Sequence, residues 1–273
     1  MGQVVQTLPE AEPIMGVTSL ADEVYLLREK ERDQVEVYDV ITYRIQRCLT
    51  LEDAHGIIDM TSCEHYRCVY IANYIDECVH RLNVQGAATR WASNDEPWSL
   101  SVNAAHNVIV TCPHVRKIKE FSSYGDLLRE LTLPDNVINP WHAVQLTSGQ
   151  FIVCHGKVGD AVHRICRIVL REDGHDILKS HGGQRGSDTH QYNAPRHLAV
   201  DGHDFVFVVD RNNRRLKLLS PTLSNVRQFL WKNNPQRYPF RLYLDAQRRR
   251  LYVADNKFDK GEFTAGRVVV LSV

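Results

Sequence analysis

A short apolar phrase recurs six times along this 273-residue chain. Residues 205–210 read Phe-Val-Phe-Val-Val-Asp and residues 250–255 read Arg-Leu-Tyr-Val-Ala-Asp, each about ten residues after a Pro-x-x-Leu segment, at Pro195 and Pro239. Four weaker copies end at Arg28, Asn73, Cys112 and His155, where the stronger two end at Asp210 and Asp255. Their mean spacing is about 45 residues, the period of a four-stranded propeller blade. Each copy is a β-branched and aromatic run bounded by turn-forming residues, which is a strand signal. Five of the six have a proline-led first strand before them (Pro13, Pro97, Pro140, Pro195, Pro239; the second copy has none), and a third strand follows, such as Arg215–Leu219 or 268–271. A more polar fourth strand follows in most repeats, for example 127–131 and 226–230. One blade cannot bury both faces of its own sheet, so the repeats must stack on one another. The expected fold is all-β: a six-bladed β-propeller occupying residues 1–273 as a single domain.

The two ends fit together. The last repeat stops after its third strand, and Gln3-Val4-Val5-Gln6-Thr7-Leu8 sits where a fourth strand would precede the first repeat. The N-terminal strand is therefore expected to join the C-terminal blade and close the ring, which protects the sheet edges.

Composition narrows the class. No apolar run is long enough to span a bilayer. The start lacks the basic and apolar regions of a secretory signal, and Gln6 stands where a myristoylation motif wants Ser or Thr. Seven scattered cysteines suit a reducing compartment, and the expected location is cytoplasmic. Cys63, Cys68 and Cys78, with His80, read as structural thiols, with a cross-strand disulfide or a zinc site as alternatives. The stretch His181-Gly182-Gly183-Gln184-Arg185-Gly186-Ser187-Asp188 reads as a surface loop, since it lacks the Lys-Ser/Thr ending and following helix of a phosphate cradle.

Net charge is zero but unevenly placed. From Arg196 onward there are 15 Lys and Arg against 7 Asp and Glu; the first 195 residues carry 18 against 26. In a ring this makes one basic and one acidic sector, which steers charged partners.

The fifth repeat, Pro195-Arg196-His197-Leu198-Ala199-Val200-Asp201 followed by Phe207-Val208-Val209-Asp210-Arg211-Asn212-Asn213-Arg214-Arg215-Leu216, resembles an NHL repeat. The sixth is a good copy and the first four are degenerate. The whole chain resembles the C-terminal NHL propeller of TRIM–NHL proteins. That resemblance implies recognition of protein or RNA partners, mainly on one face of the ring. No RING finger, B-box or coiled coil is present in the chain, so ligase activity is not carried by these residues. Within Asp210-Arg211-Asn212-Asn213-Arg214 the asparagines suit a turn with unusual backbone angles, and Asp and Arg suit charge-assisted bonds within or between blades.

The resemblance places ligands at the face where first strands begin. The residues after each lead position read Ile14, Ala54, Trp98, Trp141, Arg196 and Phe240, and two Trp, a Phe and an Arg can form a stacking platform. The next positions read Met15, His55, Ser99, His142, His197 and Arg241. Second-strand ends add Arg28, Asn73 and His155 to the same face, and the following turn adds Arg211. The expected binding rim is thus Trp98, Trp141, Arg196, Phe240, Arg28, Asn73, His155, Arg211 and Arg241. Three ring histidines, His55, His142 and His197, raise a metal-dependent hydrolase or lyase as an alternative, with Asp210 near the ion. In amidating lyases the histidine directly follows the proline, and a one-residue shift turns a strand side chain over, so packing between blades is the better reading. No nucleophile motif is present. The sequence is read as a non-catalytic module with no catalytic residue, metal or cofactor, binding a protein partner; single-stranded RNA on the same face is the alternative, and no membrane is involved.

Overall fold

Alternation of buried and exposed positions along short β-branched runs builds six antiparallel four-stranded sheets arranged as blades around an axis. The computed structural model describes residues 2–29, 34–52, 54–171, 174–230 and 235–273. First strands span Ile14–Leu20, Ile57–Cys63, Ser99–Val102, Pro140–Gln145, Pro195–Val200 and Arg237–Asp245, and these line the axis as blades one to six. The six-bladed all-β architecture read from the repeats is the fold observed.

Second strands are buried on both faces, as in Cys68–Asn73 and Val206–Asp210, because each blade is sandwiched between two others. That is why these strands read as unbroken apolar runs. Fourth strands form the outer edge, and Ile45–Thr50 and Leu127–Thr132 are mostly exposed. Each neighbouring pair of blades shares one apolar cluster, such as Tyr25, Val37, Met60 and Ile71 between blades one and two. Among the described residues no helix is long and apolar enough to cross a membrane.

Three local departures from the sequence reading have clear causes. The third strand of blade six runs Glu262–Ser272, well beyond the four residues expected, and pairs with a second strand of Arg250–Asp259. This hairpin continues past Asp255, the residue opposite the lead Pro239, and so stands above the face where first strands begin. His181–Gln184 belong to the fourth strand of blade four and not to a loop. Gly182 allows this, with φ of 104° and a hypothetical Cβ only 2.6 Å from the His163 carbonyl oxygen. In the turn after Asp210 the left-handed residue is Arg214, at φ 50°, and the asparagines lie in a short 3-10 turn.

The ring is closed as expected. Val4–Thr7 pairs antiparallel with Glu262–Ser272. Its own side chains face solvent, and the anchor is Leu8, 1% exposed, packed with Val17, Tyr252 and Val268. Leu8→Ala should therefore lower stability by about 3 kcal/mol and the melting temperature by roughly 6–12 °C, with a larger fall on deletion of residues 1–9. A thermal melt unchanged by the deletion would show that closure does not hold the ring.

Candidate functional site

Strand pairing fixes which residues share a level around the axis. The lead position opposite each second-strand end is Ile14, Ile57, Pro140, Pro195 or Pro239 in blades one, two, four, five and six. The upper rim is therefore Met15, Ile58, Trp98, Trp141, Arg196 and Phe240, and the level below is Gly16, Asp59, Ser99, His142, His197 and Arg241. Two sequence assignments change. Blade one shifts by one residue, and blade two, which lacks a lead proline, shifts by four. His55 lies in an exposed turn, and Asp59 takes its place at the axis.

Asp59 sits at the centre of a buried cluster drawing on all six blades. Arg241 of blade six lies 3.3 Å from its Oδ1. The same guanidinium donates to the Met15 carbonyl of blade one at 3.0 Å and the Ile58 carbonyl of blade two at 3.1 Å. Asp59 Oδ2 accepts the Leu100 N–H of blade three at 2.9 Å and faces His197 Nε2 of blade five at 3.4 Å. His142 of blade four lies against His197 at 3.8 Å between centroids, the rings tilted by 36°, with its Nε2 3.0 Å from the Leu100 carbonyl. Burial alone would raise the Asp59 pKa, but the charge of Arg241 and the contacts of His197 hold it at about 2. Burial drives His142 and His197 below the ordinary imidazole value, so both are neutral.

The ligand atoms of Asp59, His142 and His197 lie within 4.8 Å of one another, which is the geometry of a possible metal group. A divalent ion there would compete with a guanidinium, because the one carboxylate is already paired with Arg241 at 3.3 Å from Oδ1, while the buried Nδ1 atoms of His142 and His197 have no hydrogen-bond partner. Asp210 lies elsewhere, bonded to Arg215 Nε at 2.7 Å. Below the cluster a cavity of about 260 Å³ opens to the lower face between Ser62, Ser101, Val200 and Tyr243.

Above the cluster is an aromatic floor. The Arg196 guanidinium lies 3.6 Å from the Trp141 ring centre, 5.2 Å from Phe240 and 5.7 Å from Trp98. Trp98 and Trp141 are 5.5 Å apart, and the Trp141 Nε1–H donates to the Gly156 carbonyl at 3.2 Å. Arg211 lies over Phe263 at 5.2 Å and over Phe240 and Tyr238 at 5.9 Å, so the raised hairpin of blade six extends this floor. Trp98, Trp141, Arg196 and Arg211 are half-buried, while Phe240 is buried.

The structure thus brings together Trp98, Trp141, Arg196, Phe240 and Arg211, with Arg241 one level beneath. Arg28, Asn73 and His155 are buried within their blades. Arg28 pairs with Glu36 at 2.9 Å, Asn73 donates to Asp76 at 2.6 Å, and His155 Nε2 lies 3.5 Å from Cys166 Sγ. In blade six the same position holds Asp255, bonded to Arg267 at 2.8 Å. Arg28, Asn73, His155, Asp210 and Asp255, which end second strands, each meet a partner on their own blade. All seven cysteines are free thiols; Cys63 and Cys68 face each other across the blade-two hairpin, and Cys78 lies 3.6 Å from His80.

The fold and this axial arrangement define a six-bladed β-propeller with a plugged channel and an aromatic–arginine upper face. No protein-family model matches the chain, and no curated protein matches it. Solved structures do. A catalytically inactive histidine-to-alanine virginiamycin B lyase from Staphylococcus aureus with quinupristin is similar at a TM-score of 0.66 and 12% identity, covering 97% of this chain and 99% of that one. A streptogramin B lyase is similar at 0.64 and 12% identity, over 96% and 83% of the two chains. The Swd1 β-propeller domain of Myceliophteria thermophila is similar at 0.61 and 11% identity, over 95% and 83%. At these identities the likeness is one of fold.

Two measurements check the axial cluster. Asp59→Asn leaves Arg241 buried without a counter-charge and should lower stability by about 3–5 kcal/mol, read as a fall in melting temperature of roughly 6–20 °C. Six buried histidines (His80, His142, His155, His163, His181 and His197) have depressed pKa values, with burial the leading cause and His155 and His181 pushed down to about 4. Below pH 6.5 the unfolded chain takes up protons that the folded chain refuses. The melting temperature should therefore be level near pH 7–8 and fall as pH drops from about 6.5 to 4, as folding stability is lost at up to ~1.4 kcal/mol per pH unit for each histidine. A profile flat over that interval would contradict the neutral buried histidines.

Proposed function

We propose that the chain is a non-catalytic recognition module that binds a protein partner through its upper face. The observation carrying this reading is the floor of half-buried Trp98, Trp141, Tyr238 and Phe263 around buried Phe240, with Arg196 and Arg211 laid across it. Aromatic and arginine side chains clustered on one surface are the residue types that dominate binding energy at protein interfaces. Beneath them the channel is closed by an internally compensated ion pair, an arrangement that suits a scaffold. The similarity to antibiotic lyases is consistent with a lyase reading, but the Asp59–Arg241 pairing does not favour it. The resemblance of the repeats to NHL propellers supports recognition of a macromolecule.

Single-stranded RNA on the same face is the second reading, supported by arginines stacked on aromatic rings and by the basic C-terminal sector. A zero net charge and an acidic first 195 residues weigh against it, since nucleic-acid binders neutralise several phosphates. Display of random dodecapeptides against the immobilised protein tests the choice. The wild type is expected to enrich peptides that the Arg196→Glu/Arg211→Glu variant binds about 30-fold or more weakly. A random single-stranded RNA pool is expected to show no binding at low salt; retention of RNA with no peptide enrichment would move the assignment to RNA.

A further inference from the structure

Resting on the reading of the upper face as a peptide-recognition surface, we infer that its anchor is a single carboxylate, seated between Arg196 and Arg211 over Phe240. Among the described residues, the other buried arginines at the axis and in the blade latches have acids. Arg28 has Glu36, Arg215 has Asp210, Arg237 has Asp255 and Arg241 has Asp59. Arg196 and Arg211 have none, and the Nε of each is buried without a hydrogen-bond acceptor. A buried donor left unsatisfied costs about 1–3 kcal/mol, more when charged, so two on one patch mark a place where an acceptor is missing. Arg81 and Arg164 also have an unpartnered Nε, but they stand on the third strands of blades two and four, away from the shared ring, and Arg241, with an unpartnered Nη1, already has Asp59.

The stacking geometry leaves the hydrogen-bonding edge free. Arg196 meets Trp141 at 3.6 Å, which occupies the flat face of the guanidinium. Its N–H groups lie in the plane of that group and are not used by a stacked ring. Arg211 sits farther from its rings, 5.2 Å from the centre of Phe263 and 5.9 Å from that of Phe240. Phe240 is thus shared by both cations, at 5.2 and 5.9 Å from its centre. Burial, and then the charges of Arg241 and Arg211, depress the Arg196 guanidinium, and a bound anion would relieve both.

A carboxylate suits this place better than a polyphosphate chain. It accepts a guanidinium fork through two oxygens in one plane and carries one charge. A nucleic-acid backbone repeats its charge and needs a track of cations, whereas the sector beyond Trp98 belongs to the acidic part of the chain. The carboxylate can come from an Asp or Glu side chain or from a C-terminus, flanked by apolar residues for the rings.

Arrays of random hexapeptides test this, each made with free or amidated C-termini and with Asp and Glu either allowed or replaced by Asn and Gln. Binding is read by anisotropy and by quenching of tryptophan fluorescence. Carboxylate-bearing peptides are expected to bind at least tenfold tighter than neutral ones, and comparison of the two carboxylate arms shows which source is used. Arg196→Gln and Arg211→Gln should each abolish the preference. Arg196→Lys, which keeps charge but loses the fork, should weaken binding about tenfold while retaining the fold by thermal melt. Equal binding of neutral and acidic peptides, still sensitive to Trp98 and Trp141 substitution, would overturn the carboxylate anchor and leave the recognition surface standing. No binding of any peptide, or binding of oligouridylate in their place, would overturn both.

Discussion

The ion pair between Asp59 and Arg241 is the constraint on which the ring depends. Neighbouring blades are joined by apolar clusters, and such contacts are strong but non-directional. The axial cluster adds direction. One carboxylate and one guanidinium reach blades one, two, three, five and six, and His142 brings in blade four through the Leu100 carbonyl. A buried charge tolerates little rearrangement, because any partner withdrawn leaves the other uncompensated in a medium of low dielectric. The six blades are thereby held to one height and one register about the axis.

That plug also divides the channel by chemistry. At the level of Asp59 positive charge is matched, and the histidines are neutral. One level above, the guanidiniums of Arg196 and Arg211 are held by aromatic rings alone. Rings supply attraction for a cation but no hydrogen-bond acceptor. The same residue type is therefore structural at one level and free to engage an acid at the next, and the distance between the two roles is one residue along a strand.

Much of the fold was legible along the chain. The apolar second strands and their period follow from burial on both sheet faces, and the closing strand follows from a missing fourth strand at one end and a surplus strand at the other. Trp98, Trp141, Arg196 and Phe240 were found as a group because a lead proline or a strong repeat marks their blades. Asp59 was missed because blade two has no lead proline, and alignment by spacing put His55 in its place. The signal was present in Ile57-Ile58-Asp59-Met60, an acid inside an apolar first strand, which has no reason to be there unless a buried cation meets it. The second-strand ends misled in the opposite way. Their variety, from Arg28 to His155 to Asp255, suggested ligand contact, yet Arg28 is matched on its own blade by Glu36, Asp210 by Arg215 and Asp255 by Arg267.

The ring of six four-stranded blades is written in the chain, since repeat period and unbroken apolar runs are local properties that sterics and burial translate directly into sheets. Which polar residues meet follows from the closed ring alone. Asp59 and Arg241 are far apart in the chain, and their pairing depends on the angle through which the ring closes. So does the sharing of Phe240 by Arg196 and Arg211, which turns scattered arginines into one unsatisfied patch. Long-range electrostatic partners are set by closure of the whole ring, and no single repeat contains the information to name them.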